Sequence, residues 1–230
     1  TCALPIWIVF FNFETPQFNV NICLLPIWAL TIFFFLKSIK NNKIINWILL
    51  GLFSSLGILT KYIFIYLLVS LFFYIIFIYL KKKKYNFFYS LVVFFFIIFL
   101  HIKWIISNNY ETIKYALIRT GINDYHITNH ILNPILTIIK QFAILIPFFI
   151  LIFFLIYKNK NKINFSLKKN AIIFFIFFMP IILLITTSFF TSSKIRSFWF
   201  IPFYTISSIA VVSILKNKIN RSEEHTSELQ

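Results

Sequence analysis

The residues with the clearest chemical potential in this 230-residue sequence are lysines and arginines placed beside long apolar runs. Lys61 is the most conspicuous, because it separates the apolar run Ile44–Thr60 from a second run at residues 63–80, and each run is about long enough to cross a membrane. A charged group at that depth must reach the surface, pair with another group or face a wet cavity. Lys61 is therefore a candidate functional residue, and a lysine that merely extends to the membrane surface is the competing interpretation.

The other candidate binding residues lie in segments that we expect on the same side of the membrane as Lys61. A lysine offers a compact charge and an arginine a two-pronged donor, a combination that suits a phosphate or pyrophosphate group. For the arginines and Lys194, simple anchoring at the membrane interface is the alternative, and the polar residues near position 20 could form an ordinary loop. The candidate substrate-binding set is Lys61, Tyr62, Arg119, Lys194, Arg196, Glu14 and Asn21.

Asp124, His126 and His130 are the residues closest to a metal-ligand pattern. Their spacing does not match a helical pair of histidines with a catalytic glutamate, so we predict no metal and no cofactor, with a bound divalent metal as the alternative. The aromatic residues of the same region, such as Trp104 and Tyr110, favour an amphipathic segment lying in the membrane interface instead.

The composition predicts an all-α, polytopic transmembrane bundle. Hydrophobic residues make up 60% of the chain and charged residues 12%, with only 3 glycines, which excludes an ordinary water-soluble domain. The net charge of +16 comes from lysines clustered between apolar runs, a topology signal rather than a nucleic-acid surface. We expect an N-terminal stub and about seven spans, at residues 22–36, 44–60, 63–80, 86–100, 135–157, 171–187 and 198–215.

The distribution of cations predicts the orientation of these spans. The loops at residues 37–43, 81–84 and 158–169, together with Lys216 and Lys218, hold about twice as many lysines and arginines as the opposite loops. By the positive-inside rule, the lysine-rich loops are cytoplasmic. Lys61 is then on the external side, and any reaction site should face the periplasm or the cell exterior.

The two ends of the sequence are expected to be artefacts. Residues 221–230 are the translation of AGATCGGAAGAGCACACGTCTGAACTCCAG, a common sequencing-library adapter, and residues 1–6 read as the translation of its reverse complement. Such segments are excluded from fold reasoning. Residues 7–220 are therefore expected to be an internal transmembrane fragment of a longer protein.

Several stretches resemble bacterial glycosyltransferase family 39, a membrane group of the GT-C superfamily that includes protein O-mannosyltransferases and the aminoarabinose transferase of lipid A. They are Asn19-Val20-Asn21, the segment from Gly51 through Gly57 to Leu59-Thr60-Lys61-Tyr62, His101-Ile-Lys-Trp104, and Lys194-Ile-Arg196-Ser-Phe-Trp199. The segment that ends in Lys61-Tyr62 is the most specific of these matches. The resemblance covers most of residues 12–204.

The resemblance implies a multi-pass enzyme of the bacterial inner membrane that moves a sugar from a polyprenyl-phosphate donor to an extracytoplasmic acceptor. Its partners would be that donor, the acceptor and membrane lipids, with no nucleic acid. Lys61 matches the family's lysine near the donor phosphate, whereas Asn21 stands where many members have an aspartate. The family's catalytic aspartate would precede Trp7, so the fragment is expected to be inactive as given. A transporter or flippase for lipid-linked glycans is the alternative, and a purely structural membrane subunit is a third interpretation.

Overall fold

The computed structural model describes residues 8–13, 18–80, 85–121, 126–158 and 171–215. Within these ranges the regular secondary structure is helical throughout, so the predicted all-α architecture is confirmed. The residues expected to be artefacts, 1–6 and 221–230, lie outside the described part, as do Glu14 and Asp124.

The described helices follow one another along the chain with short connections. The α-helices are α1 (Val9–Phe13), α2 (Val20–Asn41), α3 (Ile44–Thr60), α4 (Ile65–Tyr74), α5 (Phe87–Ser107), α6 (Glu111–Thr120), α7 (Asn129–Ile144), α8 (Ile146–Lys158), α9 (Met179–Thr191) and α10 (Ser207–Leu215). Two 3-10 helices, Tyr62–Phe64 and Ser197–Ile206, precede α4 and α10. Two π-helical turns, Ile75–Tyr79 and Phe174–Phe178, follow α4 and precede α9.

Three of the described helices are long and apolar enough to cross a membrane unaided, namely Val20–Asn41, Phe87–Ser107 and Ala171–Thr191. Helices α7 and α8 pass the same test together but are bent by 59°. The other predicted spans are shorter apolar helices, Ile44–Thr60, Tyr62–Phe77 and Ser197–Val212. The multi-pass bundle is thus confirmed, and the count of about seven crossings stays a prediction.

Two predicted spans differ from the structure in detail. The run at residues 86–100 was expected to end at Leu100, but α5 continues to Ser107 and includes His101 and Trp104. The run at residues 135–157 was expected to be one span, but it breaks at Leu145. Pro147 lies in the first turn of α8, where its missing N–H cannot bond to a carbonyl of α7, so the helix ends there and a second begins.

At the end of the bundle opposite Lys61, Asn42 links three helical segments through hydrogen bonds. This residue caps α2 in the left-handed conformation, with φ of 49°. Its side-chain oxygen accepts hydrogen bonds from Trp47 Nε1 at 3.1 Å and from the Tyr79 hydroxyl at 2.6 Å. The lysine-rich connection after α2 is therefore tied to α3 and to the end of the α4 segment, so these helices keep a fixed register.

The buried core beneath Lys61 is aromatic. Trp28 of α2 is fully buried and packs edge-on against Phe64, with ring centroids 5.3 Å apart, and against Phe203 at 4.9 Å. Helix α3 packs against both α2 and α5, and α2 also packs against the 3-10 helix Ser197–Ile206. Aromatic contacts of this kind add to the burial of apolar area. They bring α2 together with both 3-10 helices, Tyr62–Phe64 and Ser197–Ile206.

Candidate functional site

The candidate site is built on the sharp turn between α3 and α4, residues 60–64, which we call the Lys61 turn. The Lys61 N–H donates to the Gly57 carbonyl at 3.0 Å, and the Lys61 carbonyl accepts from Phe64 N at 3.0 Å. A Cβ atom at Gly57 would overlap the Phe64 ring, which is fully buried. The glycine therefore gives Phe64 the space it needs, and the turn holds the Lys61 backbone at the junction of both helices.

Two residues from other elements contact the Lys61 ammonium group. Its Nζ donates a hydrogen bond to Asn21 Oδ1 at the start of α2. It also lies 5.2 Å from the centroid of the Trp199 ring, a cation–π contact. Asn21 is itself positioned by the cap of α2, because its backbone N–H donates to Asn19 Oδ1 at 2.9 Å. The candidate lysine thus has a defined orientation rather than a free, solvated one.

The electrostatic surroundings of Lys61 are unfavourable for its charge. Lys61 lies in the connection between α3 and α4, outside both helices. Its partial burial, and in second place the positive charge of Arg119, lower the pKa of its ammonium group from 10.5 to about 8. Glu111 is the sole acid in the described part of the chain. Two neighbouring cations with so little negative charge near them form a site that an anion would stabilise.

Tyr62 points to a different set of residues from Lys61. Its hydroxyl group is 3.0 Å from His101 Nε2 on α5 and donates to Thr112 Oγ1 on α6, also at 3.0 Å. The His101 ring is stacked on Trp104, with an interplanar angle of 8°. Tyr62 therefore joins the Lys61 turn to α5 and α6 through hydrogen bonds.

Helix α6 carries Arg119 and follows a tight reversal of the chain. Asn109 and Tyr110 both adopt positive φ, 52° and 60°, which is unusual for residues other than glycine and turns α6 back from the end of α5. Arg119 is near the end of α6, where its guanidinium group donates to the Tyr115 hydroxyl and lies 5.5 Å from the centre of that ring. Arg119 is thereby held along the helix, within electrostatic reach of Lys61.

Lys194 and Arg196 have exposed side chains, and each also makes a backbone hydrogen bond. Lys194 N donates to the carbonyl of Thr120 at 2.8 Å, which connects their loop to the end of α6. The Arg196 carbonyl accepts from Trp199 N at 3.0 Å and so begins the 3-10 helix that carries Trp199.

The structure therefore brings together part of the predicted set. Lys61 and Asn21 are in contact, Arg119 is close enough to affect Lys61, and Tyr62 is turned toward His101. The roles of these residues in binding remain predictions, and Glu14 falls outside the described residues.

No group of three or more histidine, cysteine, aspartate and glutamate side chains is arranged to hold a metal among the residues described. His130 Nδ1 lies 2.6 Å from the Phe189 carbonyl, a contact with the end of α9. Asp124 is not described, so the predicted absence of a metal stays a prediction.

Two contacts of the candidate site, those of Trp199 with Lys61 and of Thr112 with Tyr62, were not predicted from the sequence. Trp199 was part of a stretch that carries the family resemblance, but nothing in the sequence indicated that it covers the Lys61 ammonium group. Thr112 has no distinguishing pattern at all, and only its contact with Tyr62 reveals it. Both contacts join residues far apart in the chain, which local patterns do not report.

Several helices long and apolar enough to cross a membrane, packed around a partly buried lysine, are the features of a multi-pass membrane protein. The family model described as dolichyl-phosphate-mannose-protein mannosyltransferase matches residues 1–104, a segment that includes α2, α3 and the Lys61 turn. The match supports the predicted resemblance to glycosyltransferase family 39, a group of membrane glycosyltransferases of the GT-C type, over that part of the chain. No curated protein and no solved structure matches the chain significantly.

Proposed function

We propose that the site around Lys61 binds the phosphate of a polyprenyl-phosphate-linked sugar, and that the protein transfers this sugar to an acceptor on the external side of a bacterial inner membrane. The observation that supports this most is the partly buried ammonium group of Lys61, which has the exposed cation Arg119 near enough to disfavour its charge. Asn21 and Trp199 orient the lysine from two sides. A site with fixed cations and an aromatic edge, placed at the end of apolar helices, suits a phosphate attached to a lipid.

The charge change in such a transfer explains why cations would accelerate it. The lipid-linked sugar is a phosphodiester with one negative charge, and the departing lipid phosphate gains a second charge as the bond from the anomeric carbon to the phosphate oxygen breaks. Cations that face this oxygen stabilise the transition state more than the bound donor. Lys61 and Arg119 are assigned this role. The acceptor oxygen forms the new bond to the anomeric carbon and loses its proton to a general base. The resemblance to family 39 gives that role to a carboxylate.

A comparison of donor classes tests this function. The complete gene product, purified in detergent or reconstituted in vesicles, is given a labelled sugar either on polyprenyl phosphate or on a nucleotide. We expect label to reach the acceptor only from the lipid-linked donor. Equal or greater transfer from the nucleotide sugar would contradict the proposal. For any variant that removes the charge of Lys61, Lys40→Met is the control, because Lys40 is an exposed lysine at the other end of α2.

We expect the affinity for a prenyl phosphate to fall as the pH rises above about 8. The pKa of Lys61 is about 8 in the free protein, and a bound phosphate favours the protonated lysine and so raises that pKa. Between pH 7 and pH 8 the lysine is mostly charged, and the phosphate's second ionisation, near pH 6, is complete. The affinity should therefore change little over this range. Above pH 8, binding must also take up a proton, so the dissociation constant should rise by up to about tenfold per pH unit.

The measurement is the dissociation constant of farnesyl phosphate between pH 7 and pH 10. Lys61→Arg is the informative variant, because an arginine keeps its charge over this whole range. The fall in affinity should be absent or much smaller in that variant. A fall of the same size in Lys61→Arg would mean that another group causes it.

A further inference from the structure

Helix α6 is held to the rest of the protein by very little packing. No residue of Glu111–Thr120 is buried, and Ile113, Leu117 and Ile118 are all exposed. A helix of ten residues is too short to be stable in isolation, so its position must come from contacts with neighbouring elements. The contacts near its two ends are therefore informative.

The first contact is a hydrogen bond near the start of α6. Thr112 Oγ1 accepts from the Tyr62 hydroxyl at 3.0 Å, and the same hydroxyl is 3.0 Å from His101 Nε2. Tyr62 directly follows Lys61 in the chain. One side chain of the Lys61 turn thus fixes the start of α6 relative to α5.

The second contact is at the other end, where the Thr120 carbonyl accepts from Lys194 N at 2.8 Å. Thr112 and Arg119 are seven residues apart, about two helical turns, and therefore lie on the same face of α6. Tyr115, which accepts a hydrogen bond from Arg119, lies between them on that face. A bond from Thr112 to the Lys61 turn therefore turns the helix face that carries Arg119 toward that turn.

We propose that Thr112 is a positioning residue for the phosphate site. Its hydroxyl group, held by Tyr62 beside His101, keeps the Arg119 face of α6 turned toward Lys61. The inference rests on the proposed function, because the benefit of this arrangement is a second cation for the donor phosphate. It adds a role for Thr112, Tyr62 and His101 that is separate from direct contact with the donor.

The test compares Thr112→Val and Thr112→Ser in the complete protein. Valine keeps the shape but removes the hydroxyl group, whereas serine retains it. Thr120→Val is the matched control, because the Thr120 hydroxyl bonds only to the Leu117 carbonyl of its own helix among the contacts described, at 2.8 Å. The two readouts are hydrogen exchange of the amides of residues 111–120 and the dissociation constant of farnesyl phosphate.

In Thr112→Val, we expect exchange in α6 to become roughly 2- to 10-fold faster and the binding of farnesyl phosphate to weaken by a similar factor, the usual effect of one lost hydrogen bond. Thr112→Ser and Thr120→Val should resemble the wild type in both. Unchanged exchange in Thr112→Val would overturn the inference, and so would faster exchange with undiminished binding. If the wild-type protein binds no prenyl phosphate, the proposed function fails, and the exchange data alone decide whether Thr112 holds α6.

Discussion

Replacing Lys61 with methionine is expected to weaken the binding of a lipid phosphate roughly 100-fold, which corresponds to about 3 kcal/mol. Methionine keeps the approximate length of the side chain but removes its charge. Asn21 loses its hydrogen-bond donor, and the phosphate loses one of the two cations assigned to it, Lys61 and Arg119. Donor use should fall by at least the same factor, because the charge on the leaving phosphate increases in the transition state.

The measurement is the dissociation constant of farnesyl phosphate together with the rate of sugar transfer, at matched amounts of folded protein. Lys40→Met should change neither quantity. Lys61→Arg should lie between wild type and Lys61→Met, because it keeps the charge but must fit a larger planar group between Asn21 and Trp199. Equal binding by Lys61→Met and wild type would show that Lys61 is only a membrane-interface lysine.

Gly51→Ala is expected to have the largest effect on the stability of the bundle. A Cβ atom at position 51 would lie 2.5 Å from the backbone oxygen of Ser90 and 3.0 Å from Val93 Cβ, so α3 and α5 would have to move apart. Overpacking of this kind typically costs about 1–3 kcal/mol, more than the roughly 1 kcal/mol that alanine gains over glycine in helix propensity. Lys61 directly follows α3, and α5 carries His101, the partner of Tyr62. Moving the two helices apart should therefore also weaken phosphate binding.

Thermal unfolding in detergent, followed by the fraction of protein that remains monodisperse, measures this effect. Leu59→Ala is the control, since Leu59 is 41% exposed on the same helix and its loss opens no close helix contact. We expect a lower midpoint for Gly51→Ala and nearly unchanged behaviour for Leu59→Ala. A Gly51→Ala protein as stable as the wild type would mean that α3 and α5 do not approach this closely.

The helical framework was largely predictable because apolar composition and lysine-rich loops are local properties of the chain. The end of α5 was not predictable in this way. The predicted span stopped at Leu100 because the apolar character of the sequence falls at His101. A helix continues as long as its backbone bonds are favourable, and here it runs to Ser107 and stops at the reversal formed by Asn109 and Tyr110. The bend at Leu145 had a visible cause in Pro147, whose effect on a span depends on how the neighbouring helices pack.

The choice of Lys61 as a candidate residue also came from a local property of the chain, although its role in binding stays a prediction. A lone lysine between two apolar runs is costly unless it has a purpose, and the structure places it against Asn21, another predicted residue. The partners that define its geometry could not be predicted. Trp199 and Thr112 contact the Lys61 turn from elements that are distant in sequence. Hydrophobic periodicity shows which face of a helix is apolar, but not which other helix that face contacts.

The most direct test of the central claim is a comparison of farnesyl phosphate with farnesol, which has the same hydrocarbon chain without the phosphate. Their dissociation constants for the wild-type protein are measured at pH 7, where Lys61 is charged. We expect farnesyl phosphate to bind roughly 100-fold more tightly than farnesol, and this difference to nearly disappear in Lys61→Met. Equal affinity of the two compounds for the wild type, or an undiminished difference in Lys61→Met, would contradict a phosphate site at Lys61.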